Sequence, residues 1–183
     1  MNRHVFAATF SSLRSKNFRR FWTGQCISVM GTWIQRTTQT WLVYQMTKSA
    51  FLVGLLAAAQ FVPIMALTLV AGTLIDRYPK RQILLFTQFG FLLLGATMTL
   101  ITYLKIVQYW QILAIALGYG ILQSFDTPTR QSYVIELVGK KDLINGISLN
   151  SSIFNLAKIA GPSLAGILSL IHISEPTRLG MIS

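Results

Sequence analysis

The ten residues GTLIDRYPKR (residues 72–81) decide how the rest of the chain reads. They are the only break between two long apolar blocks, residues 50–74 and 82–103, and they concentrate Asp76, Arg77, Lys80 and Arg81 in a short turn. About 20 apolar residues cross a bilayer as a helix, so each block is long enough to span one. Gly72 permits close helix approach, and Asp76 can accept from helix amides or from a guanidinium. The basic residues would hold the turn at an anionic membrane surface.

Outward from that turn the same grain continues. Of the 183 residues 52% are hydrophobic and 11% charged, against roughly 25% charged in a typical soluble domain. Further blocks cover residues 22–44, 110–127 and 143–168, which predicts an all-α membrane protein of about five transmembrane helices. The net charge of +11 would fit nucleic acid if the basic residues formed a patch, but they do not. Arg3, Arg14, Lys16, Arg19 and Arg20 precede the first block, Arg77, Lys80 and Arg81 follow the second, and Arg130, Lys140 and Lys141 follow the fourth. The alternate connections hold only Lys48 and Lys105. Lys and Arg are retained on the cytoplasmic side of membrane proteins, so residues 1–20 are expected inside the cell and no nucleic-acid partner is expected. Tyr44, Tyr103, Tyr109 and Trp110 fall at the opposite ends, as an interfacial aromatic belt should.

Residues 1–17 lack the apolar core of a secretory signal and read either as a helix on the membrane surface or as a disordered tail. Cys26 is alone, which excludes an intrachain disulfide. His4 and His172 have no Cys or carboxylate neighbours at ligand spacing, so neither a metal nor a cofactor is expected.

Two blocks carry polar stripes. Gln25, Ser28, Thr32, Gln35, Arg36 and Gln39 recur in the first at steps of three or four, one face of a helix. Ser148, Ser151, Ser152, Asn155 and Lys158 do the same in the fifth. Such a face either lines a wet path or bonds neighbouring helices. A cation inside a span is costly and marks a functional site by default, although Arg36 and Lys158 can also snorkel or bond carbonyls. Pro63 should bend the second block, and Pro128 should end or kink the fourth. The third, apolar nearly all round, suits a lipid-facing position.

GxxxDRxxKR between the second and third spans is similar to the signature loop of the major facilitator superfamily, with Pro79 where the family often has Gly. FDTPTRQ (residues 125–131) and NSSIFNLAKIAGPSLAG (residues 150–166) resemble the branch that includes the enterobactin exporter, the latter through a GPxxGG motif. Gly161, Pro162 and Gly166 stand in their motif places, and Ala165 replaces one glycine. Asp126 and Arg130 are four apart, able to pair with each other or with Asp76 and Arg77.

The resemblance covers about residues 18–168 and implies one six-helix half of a two-half transporter in the bacterial inner membrane. It further implies export of a siderophore- or drug-like molecule against protons, without enzymatic chemistry. Gly72, Asp76, Arg77, Lys80, Arg81, Asp126 and Arg130 would form a cytoplasmic gate. Gln35, Arg36, Gln39, Asn155 and Lys158 would line the path, and Pro63, Gly161, Pro162 and Gly166 would shape the helices. An importer of the same fold and a non-transporting membrane scaffold are the alternatives. No GxxxxGK[ST] sequence is present for nucleotide binding. LSLIHISEPTR (residues 168–178) resembles a translated transposase adaptor from sequencing-library preparation, which marks residues 169–183 as non-native. Five spans without the other half predict an inactive fragment.

Overall fold

The computed structural model describes residue 12, residues 15–139 and residues 142–173, with side chains to residue 163 and at residue 166. Five helices, and no strand, occur among the described residues: α1 Lys16–Thr47, α2 Ala50–Ile75, α3 Lys80–Tyr103, α4 Tyr109–Val138 and α5 Leu143–Ile173. The shortest, α3, has 24 residues. At 1.5 Å per residue that is about 36 Å, longer than the ~30 Å hydrocarbon core of a bilayer.

Local chemistry explains the boundaries. Ser15 starts α1 by accepting from the Phe18 amide at 3.4 Å, and Ser49 starts α2 by accepting from Leu52 at 3.4 Å. Lys48 ends α1 in the left-handed region at φ 52°, its amide donating to the Tyr44 carbonyl at 2.8 Å. That residue lets α1 and α2 reverse within a two-residue link. At the other end Ser12 donates to the Asp142 carbonyl at 3.2 Å, holding the lead into α1 against the α4–α5 turn.

Two boundaries differ from expectation. α1 begins at Lys16, so Lys16, Arg19 and Arg20 belong to its first turns and not to a separate tail. Hydropathy marks where the lipid core begins, whereas the serine cap marks where the helix begins. α4 runs through Pro128 to Val138 instead of ending near residue 127. A proline forfeits one backbone hydrogen bond, while unwinding at a bilayer boundary would expose several. Pro63 and Pro162 also lie inside their helices. The segment read as non-native begins within α5, which continues to Ile173; residues 174–183 lie outside the described residues.

The bundle packs through small residues. A Cβ added at Gly120 of α4 would stand 2.4 Å from the Gln60 carbonyl oxygen and 3.1 Å from Pro63 of α2. One added at Gly161 of α5 would stand 2.7 Å from Cβ of Trp33 in α1. Glycine at these two crossings lets backbones approach as small residues do in membrane helix pairs. Val43, Leu56, Ala59, Met98, Ile112, Ile115 and Ala116 form a buried cluster toward the end away from the basic turns. Phe18, Val134 and Leu149 close the basic end, and Val29, Ile153 and Ala157 join α1 to α5 between them.

The outside is as apolar as the inside. Phe51, Met65, Leu69 and Phe86 are all more than two-thirds exposed. The most apolar stretch of α2 has a mean hydropathy of 2.2 and is only 11% buried within the protein. α3 reaches 1.8, and its Leu85, Phe86, Phe89, Leu92 and Leu93 face outward. A water-soluble surface does not carry an apolar belt of this extent, and a bilayer is the solvent that matches it. Among the described residues α2 and α3 are long and apolar enough to cross a membrane.

Candidate functional site

A cavity of about 470 Å³ lies between α1, α2 and α4, flanked by Phe91 of α3 and Phe154 of α5. The α1 stripe supplies one wall: Ser28, Thr32, Gln35, Arg36 and Gln39 all line it. Their spacing puts them on one face, and the crossing of α1 with α5 at Gly161 turns the opposite side of α1 away from the cavity. Gln25, the first member of the stripe, instead donates to Asn150 of α5. Helix bonding is not confined to that end, since Ser28 donates to Gln88 of α3 and Gln35 accepts from Tyr119 of α4 while both also face the cavity.

Toward the basic end the cavity closes on a buried ion pair. Asp126 Oδ2 accepts from Arg130 Nη2 at 2.6 Å and from Nε at 2.9 Å. Its Oδ1 accepts from the Thr87 hydroxyl at 2.9 Å and from Gln88 Nε2 at 3.0 Å. Gln88 Oε1 in turn accepts from Ser28 at 2.7 Å, so one carboxylate ties α1, α3 and α4 together. Asp126 is 2% exposed and Arg130 5%. A buried pair is tolerable only when its remaining lone pairs are satisfied, as they are here. The pairing is i to i+4 along an unbroken helix, which requires α4 to pass through Pro128.

At mid-cavity the guanidinium carbon of Arg36 stands 4.8 Å from the Phe61 ring centroid and 5.5 Å from that of Trp33. Tyr119 of α4 donates to Gln35 Oε1 and stacks on Phe91 at a centroid distance of 5.2 Å. Gln35 Nε2 and Gln39 Nε2 are buried without a hydrogen-bond partner.

The remaining expected residues lie elsewhere. Asn155 and Lys158 are exposed on α5 and do not line the cavity, although Lys158 Nζ comes within 5.9 Å of the Trp33 ring centroid. The packed face of α5 is Leu149, Ile153, Ala157 and Gly161, which directs the polar stripe outward. Asp76, Arg77 and Arg81 are exposed, and among the described residues Asp76 and Arg77 form no ion pair. They do not converge with Asp126 and Arg130. Gly72 and Gly166 have nothing within 4 Å of an added Cβ, so among the described residues no helix closes on either; Gly72 does not use the close approach it permits, and Gly166 does not pack as expected. Lys80 does make a contact: it pairs with Glu136, fastening the start of α3 to the last turns of α4. Glu136 was not among the expected residues, although a chain with only 5 acidic residues offers few possible partners for its cations. Gly120 and Tyr119 were also not foreseen, because their roles depend on which helix lies opposite.

The sequence matches the family described as transmembrane secretion effector over residues 7–173. Among curated proteins it is 28% identical to the staphyloferrin A transporter of Staphylococcus aureus (strain NCTC 8325 / PS 47) over 160 residues, which are 87% of this chain and 40% of that protein. It is 26% identical to the uncharacterized MFS-type transporter YfiS of Bacillus subtilis (strain 168), covering 79% of this chain and 34% of that one. To macrolide efflux protein A of Streptococcus pyogenes it is 20% identical, covering 82% and 37%. The chain thus spans 34–40% of the length of these relatives. No solved structure matches. A family match over residues 7–173, on an all-helical bundle with an apolar exterior, places the chain: it belongs to the transmembrane secretion effector family of the major facilitator superfamily.

Proposed function

We propose that the chain forms helices of one half of a secondary transporter that exports a small siderophore- or drug-like molecule in exchange for protons. The observation that carries this reading is a cavity of about 470 Å³, largely apolar in its lining but carrying Gln35, Arg36 and Gln39, between helices whose outer surfaces are apolar. A membrane scaffold has no use for buried polar groups left unpaired in its interior, since each is costly in a low-dielectric setting. A transporter uses such groups to bind its cargo near the bilayer midplane. Two relatives bear the names staphyloferrin A transporter and macrolide efflux protein A, which supports a small-molecule cargo. The FDTPTRQ and GPSLAG segments support the export direction and the enterobactin-exporter-like branch.

In this reading Gln35, Arg36 and Gln39 line the path, and Asp126 with Arg130 closes its basic end. Gly72, Asp76, Arg77, Lys80 and Arg81 belong to the moving cytoplasmic surface, with the Lys80–Glu136 pair as its fastening. The exposed polar face of α5, with Asn155 and Lys158, would meet the remainder of a transporter as long as the relatives. An exposed lysine and asparagine in lipid are otherwise unfavourable. Clustering of the cations at the α1 start, the α2–α3 turn and the α4–α5 turn supports a cytoplasmic N-terminus in a bacterial inner membrane.

The test is flux. Everted membrane vesicles containing the full-length gene product, energised by an imposed pH gradient, are given erythromycin and, separately, staphyloferrin A. The expected result is several-fold accumulation of one of them, abolished when an ionophore collapses the gradient. Gradient-dependent uptake seen only in right-side-out vesicles would make the protein an importer. No gradient-dependent movement of either compound in either orientation would remove the transport reading.

A further inference from the structure

The cavity wall holds three ionised side chains, Arg36, Asp126 and Arg130. Asp126 and Arg130 neutralise one another, so the guanidinium of Arg36 is left as the wall's uncompensated charge. Among the described residues no carboxylate pairs with it. Phe61 and Trp33 approach it at 4.8 and 5.5 Å, but aromatic rings stabilise a cation without offering an acceptor to its N–H groups. Arg has five such donors arranged in a planar fork that matches a carboxylate. Lys158 Nζ of α5 lies 5.9 Å from the Trp33 centroid, a second cation near that ring.

The neighbouring unsatisfied groups have the same character. Gln35 Nε2 and Gln39 Nε2 are both donors, both buried and both without partners, and Gln39 is only 2% exposed. With Arg36 between them, they occupy little more than one turn of α1, on the face that lines the cavity. A buried polar atom without a partner in a native fold calls for an explanation, and two such amides beside a guanidinium that no carboxylate pairs share one. The group that satisfies them is an acceptor with two or more oxygens and a negative charge.

We infer that Gln35, Arg36 and Gln39 form an oxyanion subsite, and that the cargo of this cavity carries at least one carboxylate or an oxyanion of similar shape. The inference rests on the transport reading and adds the substrate's chemical class to it. Arg36 takes the carboxylate edge-on while Phe61 and Trp33 hold the guanidinium in place, and the two amides bond the oxygens. The cavity volume lies within the range of ~300–1,000 Å³ usual for small-molecule sites, leaving room for the rest of a compact polyfunctional compound.

The test uses the purified full-length gene product in detergent, titrated calorimetrically with citrate and with its trimethyl ester. Citrate is expected to bind at least about tenfold more tightly than the ester, since only citrate offers charged acceptors. Arg36→Gln should weaken citrate about tenfold or more and leave the ester unchanged, Arg36→Lys should recover part of the loss, and Gln39→Leu should weaken citrate several-fold. Each variant is checked for a monodisperse, helical state; if Arg36→Gln fails that check, Arg36→Lys and Gln39→Leu carry the test. Equal binding of citrate and ester, absence of citrate binding, or full citrate affinity in a well-folded Arg36→Gln protein would overturn the subsite. Export of a neutral compound unaffected by Arg36→Gln would overturn it while leaving the transporter reading in place. Citrate binding without flux of any probe would instead retain the subsite and remove the transport reading.

Discussion

Replacing Asp126 with alanine is expected to lower folding stability by about 3–5 kcal/mol, the usual consequence of leaving a buried ionic partner uncompensated. The carboxylate accepts from two guanidinium nitrogens of Arg130, from Thr87 and from Gln88, so alanine strands three donors at once, while Thr87 keeps the Leu84 carbonyl at 3.0 Å. The Arg130 side chain, 6% exposed, has no solvent to turn to. The double variant Asp126→Ala with Arg130→Met should regain most of the loss, because removing both charges also removes the cost of burying them. Denaturant titration of the detergent-solubilised full-length protein, comparing both single variants with the double, measures this. A single variant within about 0.5 kcal/mol of the parent would mean that water or another group replaces the carboxylate freely.

Gly120→Leu should have the other large effect, separating α2 from α4. An added Cβ at 2.4 Å from a backbone carbonyl cannot be relieved by a side-chain rotation, because the obstacle is the α2 main chain at Gln60. Overpacking typically costs about 1–3 kcal/mol and occasionally more; leucine adds further atoms against Pro63, so the upper part of that range or beyond is expected. The same displacement would open the cavity wall, so cargo affinity should fall along with stability. Gly72→Ala is the matched control. With nothing within 4 Å of its added Cβ, it should gain a few tenths of a kcal/mol from helix propensity and leave the cavity unchanged. Thermal unfolding monitored by size-exclusion fluorescence ranks the two substitutions; equal effects would contradict the close α2–α4 crossing.

How far the fold could be read before the structure depends on what kind of information each feature carries. The α1 stripe was legible because a period of three to four residues is a property of one helix, and Ser28, Thr32, Gln35, Arg36 and Gln39 do share a wall. The α5 stripe has the same period and the opposite placement. Periodicity states which residues share a face, but the Gly161–Trp33 crossing decides which way that face looks. The Asp126–Arg130 pair was one of two pairings compatible with the sequence, and it holds because α4 continues through Pro128, which local propensity disfavours and tertiary packing overrides. Of the expected packing glycines Gly161 meets Trp33 while Gly166 meets no described neighbour, and Gly120, which no pattern marked, packs against α2. A glycine's role depends on the helix opposite, and no single-helix pattern records that. The start of α1 was displaced for a related reason: the apolar block measures the membrane, and α1 extends beyond it on a serine cap.

The central claim is that the cavity is a path reached from water inside a lipid-facing bundle, and cysteine accessibility tests it most directly. With Cys26 and any further cysteine of the full-length gene product replaced by serine, Thr32 in the cavity wall and Leu92 on the outer face of α3 are changed to cysteine in turn. Each protein, reconstituted in liposomes, is exposed to a membrane-impermeant methanethiosulfonate reagent. The account predicts rapid modification of Thr32→Cys and none of Leu92→Cys, since thiolates form in water and not in hydrocarbon. Modification of Leu92→Cys with Thr32→Cys inert would contradict it, turning the bundle inside out and leaving the cavity no part in transport.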